Sequence, residues 1–109
     1  MEREAPQWLE VGNGEESRRI ALLAQAGSGA PVVWLGGFCS DMRATKAEAL
    51  AQWADKAGRA FIRFDYAGHG ESGSDFGRWT LSHWLEDALA VIGARCERPP
   101  VLVGSSMGG

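Results

Sequence analysis

The alternation of short apolar runs with helical patterns constrains this chain most. Val32-Val33-Trp34-Leu35 is a continuous apolar run, as a strand buried on both faces should be, and Gly36-Gly37 ends it. Thr45 to Ala57 reads as a helix. Ala47, Leu50, Ala51 and Ala54 share one face, Thr45 and Glu48 have capping-box spacing, and Gly58 sits where a C-cap belongs. Ala60 to Asp65 is the next strand. Thr80 caps a second helix whose apolar stripe is Trp84, Ala88, Val91 and Ile92, and Val101-Leu102-Val103 is a last buried strand. Upstream, Trp8 to Val11 and Arg18 to Gln25 flank the turn signal Gly12-Asn13-Gly14 and read as an antiparallel hairpin, with a break at Gly27 to Pro31. Strand, helix, strand, helix, strand implies an α/β chain with parallel pairing and right-handed crossovers. Chemistry in such sheets sits at the C-terminal strand ends. Three loops lie there: Gly36 to Ala44, Tyr66 to Gly77, and Gly104 onward.

Composition narrows the partners. A net charge of -3 without clustered Lys and Arg argues against nucleic acid, and Arg18-Arg19, the one adjacent basic pair, reads as solvated surface. The apolar stretches fall far short of the roughly 20 residues of a membrane span. The N-terminus lacks a basic region followed by an apolar run, so no secretory signal is expected. Cys39 and Cys96 are too few for a disulfide scaffold, which leaves a cytoplasmic setting with reduced thiols as the expectation. Two cysteines and two histidines without ligand spacing do not make a metal site. The five tryptophans are expected to serve core and rim packing.

The last six residues, Gly104-Ser105-Ser106-Met107-Gly108-Gly109, contain G-x-S-x-G directly after the third parallel strand. A nucleophile on a sharp strand-to-helix turn has strained backbone angles and close neighbours, so only small residues fit two positions either side. In a chain with 15 glycines the bare pattern is weak, and the strand before it supplies the specificity. The competing use of such a serine is to cap a helix in a glycine-rich turn. Acyl transfer by serine also needs two donors for the oxyanion. One is the backbone N–H after the nucleophile, at Met107. The other belongs to the loop after the first parallel strand, where Gly36 and Gly37 let the backbone approach. Phe38 is the expected donor, with Gly37 and Cys39 as alternatives.

Gly68-His69-Gly70-Glu71-Ser72-Gly73 matches G-x-G-x-x-G, but a dinucleotide fingerprint opens a helix at once, and here the turn continues to about Thr80. His83 lies inside the second helix as a packed or surface residue. His69 lies on the active edge but precedes the serine, whereas the triad order for this elbow is Ser, acid, His. Neither histidine is the expected base.

In order, the chain carries Trp34-Leu35-Gly36-Gly37-Phe38, Ser40-Asp41-Met42, Thr45-Lys46-Ala47, Arg63-Phe64-Asp65-Tyr66, Gly68-His69-Gly70-Glu71-Ser72 and the elbow. This combination resembles the N-terminal part of an α/β hydrolase, most of all bacterial relatives of mitochondrial thioesterases and acyl-glucuronide esterases. The resemblance runs from about Val32 to Gly109, with Ala44 standing where the family usually has glycine. It implies a partial α/β-hydrolase fold over residues 1–109: a hairpin, then parallel strands ending at the elbow, without the following helix or later strands. It implies Ser106 as nucleophile, the Phe38 and Met107 amides as oxyanion hole, and Gly36, Gly37, Gly104 and Gly108 as supporting glycines. The family's acid and histidine come later in sequence. The expected function is hydrolysis of small-molecule carboxylic esters or thioesters through an acyl-enzyme, without metal or organic cofactor. The alternative is a non-catalytic truncated domain that binds a partner or has no function. The 109 residues alone are expected to be inactive.

Overall fold

In the computed structural model, residues 5–73 and 75–109 are described. Five strands form one sheet: β1 (Gln7–Val11), β2 (Arg18–Gln25), β3 (Ser28–Leu35), β4 (Arg59–Phe64) and β5 (Val101–Gly104), with helices α1 (Thr45–Ala57) and α2 (Leu81–Arg95). The sheet order is β1-β2-β4-β3-β5. The expected hairpin forms between β1 and β2, and β2 then pairs antiparallel with β4. Strands β4 and β5 flank β3 and run parallel to it. The chain leaves β3 toward one side through α1, then crosses back through α2 to β3's other side. The C-terminal ends of β3 and β5 thus lie at a reversal of strand order, where open α/β sheets form their binding crevice.

Side-chain alternation builds a core on each sheet face. Val32, Trp34 and Phe61 pack against Ala47, Ala51 and Ala54 of α1. Val33, Ile62 and Phe64 pack with Trp84, Ala88 and Val91 of α2. The tryptophans divide as expected: Trp34, Trp79 and Trp84 are buried, whereas Trp8 and Trp53 are partly exposed.

Several sequence expectations need correction. Val101 and Leu102 are half exposed, not buried, because β5 pairs with β3 alone among the described residues. The segment from Ser28 is strand, not a break. Its register against β4 shifts between Ser28 and Val32, and Gly29 takes φ +76 there. A Cβ at Gly27 would lie 2.2 Å from the Arg59 carbonyl carbon, so glycine permits the approach of β3 to β4. Thr45 does not cap α1. The cap is Ala44, whose carbonyl accepts from the Glu48 amide at 2.9 Å, and the Glu48 carboxylate instead pairs with Arg63 at 3.0 Å. Ala44 takes φ -67, so alanine serves there without strain. Thr80 does cap α2, in a capping box completed by His83, whose Nε2 lies 3.3 Å from Glu16.

Arg18 is the largest departure. It is buried, bonds Asp87 of α2 at 2.9 Å through Nε and stacks on the Trp79 ring at 5.0 Å. Asp87 is wholly buried, and its other oxygen accepts from the Ala67 amide at 2.9 Å. Adjacent arginines on a strand point to opposite faces, so only Arg19 is left on the surface, over Trp8.

Candidate active site

Strand β5 ends in Gly104, and the chain then turns through a single 3₁₀ turn, Ser106–Gly108. Ser106 has φ +55, a left-handed conformation that costs an L-residue roughly 1–2 kcal/mol. A Cβ on Gly104 would lie 2.3 Å from the Gly108 carbonyl oxygen, and one on Gly108 would lie 2.0 Å from that of Leu35. Backbone meets backbone at both points, so neither contact is relieved by turning a side chain. The Ser105 amide donates to the Leu35 carbonyl at 3.1 Å and ties the turn to β3. Gly108→Ala is therefore expected to lower the unfolding free energy of the full-length protein by about 2–3 kcal/mol. A denaturation midpoint equal to the wild type would contradict the packing.

The loop after β3 approaches the same point. The Cβ position of Gly37 lies 3.5 Å from both the Ser105 carbonyl oxygen and the Ser106 Cβ. The Gly36 carbonyl accepts from the Tyr66 hydroxyl at 3.3 Å. Of the three amides weighed as oxyanion donors, that of Cys39 is engaged, donating to Nε2 of His69 at 3.1 Å. The Phe38 amide forms no hydrogen bond among the described residues. Hydrogen bonds of the elbow turn run from the Gly108 and Gly109 amides to Ser105 and Ser106. The Met107 amide, one residue earlier, forms no hydrogen bond among the described residues. Ser106 is exposed, and beside it Leu35, Tyr66, Trp84, Leu85 and Met107 line an apolar cleft.

The β3 loop is held from its far side by the loop after β4. Asp65, at the end of β4, accepts from the Met42 amide at 2.7 Å and the Glu71 amide at 2.8 Å. Burial pushes its carboxyl up, against the lowering effect of those two amides. Gly70 takes φ +44, and its Cβ position lies 2.4 Å from the Asp65 carboxylate. Its glycine thus admits Asp65 rather than a phosphate. The G-x-G-x-x-G segment opens no long helix: Gly70–Ser72 is a 3₁₀ turn and α2 begins at Leu81. Arg43 and Glu71 add an ion pair at 2.8 Å between the two loops.

Asp65 escaped the sequence reading as a site-building residue. The available signal was a carboxylate at the end of a parallel strand. His83 is remote in role, serving the α2 cap. Cys39 is exposed, Cys96 is partly buried, and both are free thiols. Among the described residues no group of acidic, His and Cys side chains is placed to hold a metal, and no helix is long and apolar enough to cross a membrane.

Comparison with known proteins gives the same architecture. A family model for the α/β hydrolase family matches residues 16–109. A mitochondrial palmitoyl-protein thioesterase of Bos taurus is 34% identical over 114 residues, covering 96% of this chain and 37% of that protein. A crystal structure from Agrobacterium vitis, described as a hydrolase, superposes with TM-score 0.91 at 44% identity, over 97% of this chain and 42% of that one. The α/β hydrolase domain-containing protein 10 of mouse superposes with TM-score 0.87 at 32% identity, over 96% and 41%. The chain thus spans about two fifths of the length of these relatives. An elbow of this geometry on a sheet of this order, with the matched family model, establishes that the chain belongs to the α/β hydrolase family and carries part of its fold.

Proposed function

We propose that this chain supplies the nucleophile and oxyanion hole of a serine hydrolase acting on carboxylic esters or thioesters. The observation that carries the proposal is Ser106 at φ +55 between two glycines that no larger residue can replace without displacing backbone. A strained serine exposed at the crevice of an α/β sheet is what a nucleophile elbow requires. The thioesterase name of the Bos taurus relative supports an acyl substrate.

In the proposed reaction the Ser106 hydroxyl oxygen attacks the acyl carbon while a histidine base takes its proton. The Phe38 and Met107 amides stabilise the negative charge that develops on the carbonyl oxygen. Collapse expels the alcohol or thiol, to which the histidine returns the proton, and water then hydrolyses the acyl-serine by the same steps. The base and its carboxylate partner are assigned to sequence following Gly109 in the full-length protein. No cofactor enters the scheme. A cytoplasmic location belongs to the same proposal, supported by two free thiols.

A fluorophosphonate probe tests the assignment. It is expected to label the full-length protein on one serine, mapped by mass spectrometry to the peptide containing Ser106. No label removes the proposal and leaves the non-catalytic reading, and a label on another serine overturns the assignment of Ser106. Residues 1–109 alone are expected to show no turnover above background. Ester hydrolysis by the purified 109-residue chain that depends on Ser106 would contradict this division of labour.

A further inference from the structure

His69 is the one buried histidine, and both ring nitrogens are committed. The Cys39 backbone N–H donates to Nε2 at 3.1 Å, so Nε2 carries no proton. Nδ1 then carries the proton and donates to the Ala67 carbonyl at 3.1 Å. That carbonyl also accepts from Trp84 Nε1 at 2.9 Å, and the Ala67 amide bonds Asp87, which holds Arg18. The imidazole is boxed by Tyr66, Phe76 and Trp84, with ring centroids 5.1 to 5.7 Å away. Its anchor runs through α2 into β2, and its free end reaches the loop after β3.

The group it holds there is conformationally demanding. The Ser40 amide donates to the Gly37 carbonyl at 3.2 Å, which closes a four-residue turn over Gly37, Phe38, Cys39 and Ser40. Cys39, its third residue, has φ +61, whereas Phe38 is not among the residues of positive φ. This is the type II pattern, which favours glycine or asparagine at the third position. Type I, the form open to most residues, differs by a flip of the central peptide, about 150° in ψ of the second residue. The N–H of that central peptide is the Cys39 amide. An acceptor on that N–H selects type II, and His69 Nε2 is that acceptor.

We propose that His69 is the positioning residue of the oxyanion loop: by accepting from the Cys39 amide it locks in the type II form the Gly37–Ser40 turn, whose second residue carries the Phe38 amide. It does not touch the reacting atoms. The inference rests on the assignment of Ser106 and Phe38 above. It gives the Gly-His-Gly segment a task that neither a nucleotide site nor a general base supplies.

The test is steady-state ester hydrolysis by the full-length protein and its H69L, H69Q and S106A variants. H69L keeps an apolar side chain in the aromatic box but removes the acceptor. It is expected to lower kcat about 100-fold, the scale of an ångström-level misplacement, with KM changed less than about threefold. H69Q brings an amide oxygen to the place of Nε2 and is expected to restore kcat to within about fivefold of wild type. Unchanged kcat in H69L, or equal loss in H69L and H69Q, overturns the positioning role. Activity surviving in S106A instead overturns the underlying assignment, so the two failures are separable. Should H69L fail to fold, imidazole 15N shifts of the wild type decide: a protonated Nε2 at pH 7 overturns the proposal, and a protonated Nδ1 with bare Nε2 supports it.

Discussion

Ser106→Ala is expected to lower kcat of the full-length protein by roughly 10⁴- to 10⁶-fold, the range for loss of a serine nucleophile. Residual turnover then comes from the oxyanion amides and substrate binding alone. KM should change little, because the hydroxyl contributes bond formation rather than affinity. The fold should survive, since alanine differs from serine only by the hydroxyl and keeps the Cβ. Ser106→Gly separates strain from chemistry. Glycine accepts φ +55 without penalty, so this variant is expected to be as inactive as alanine yet more stable than wild type, by up to about 1 kcal/mol. Chemical denaturation beside kcat measures both. An S106G variant less stable than wild type would mean that the turn is not strained, and an S106A variant within tenfold of wild-type kcat would remove Ser106 from the chemistry.

Arg18→Met carries the largest expected stability effect, about 3–5 kcal/mol, because it strands a buried charge. Asp87 is wholly buried, and burial holds its carboxyl above the ordinary value of 3.8 even with the Ala67 amide and Arg18 favouring the ionised form. A folded-state value above the unfolded one means that the folded protein binds the proton more readily. This group's contribution to stability is then greatest below pH 3.8 and declines as pH rises through its folded value. Removing Arg18 raises that value further. The R18M penalty should therefore be largest at neutral pH and shrink on acidification, as Asp87 takes up a proton. Guanidinium melts of wild type and R18M at pH 7 and pH 5 test it. A penalty below 1 kcal/mol at pH 7, or one that grows toward pH 5, would show that the pair does not act as the contacts imply. The site should feel the same change, because Asp87 holds the Ala67 amide and the Ala67 carbonyl holds His69.

The order of elements was legible in the sequence because each rests on local pattern. The apolar run at Val32–Leu35, the alanine face of α1 and the threonine cap of α2 each need only a few neighbouring residues to be read. The glycine-dependent turn after β5 was legible for the same reason: its glycines and serine sit within six positions. The capping-box spacing at Thr45 misled, since spacing does not say whether a residue lies before or inside the first turn. At Thr80 a histidine completed the box where glutamate or glutamine is usual.

Sequence by itself determined the α/β class, the parallel strand series, the glycine demand at the elbow and the family resemblance that the matched model bears out. Tertiary structure alone decided which charges are buried and what the polar side chains hold. Arg18 and Asp87 stand 69 positions apart, and Cys39 and His69 stand 30 apart. No local periodicity couples such positions. They meet because β4 inserts between β2 and β3 and because α1 and α2 cover opposite sheet faces. Buried polar groups must find partners wherever the fold places them. Those long-range partners hold the loop after β3.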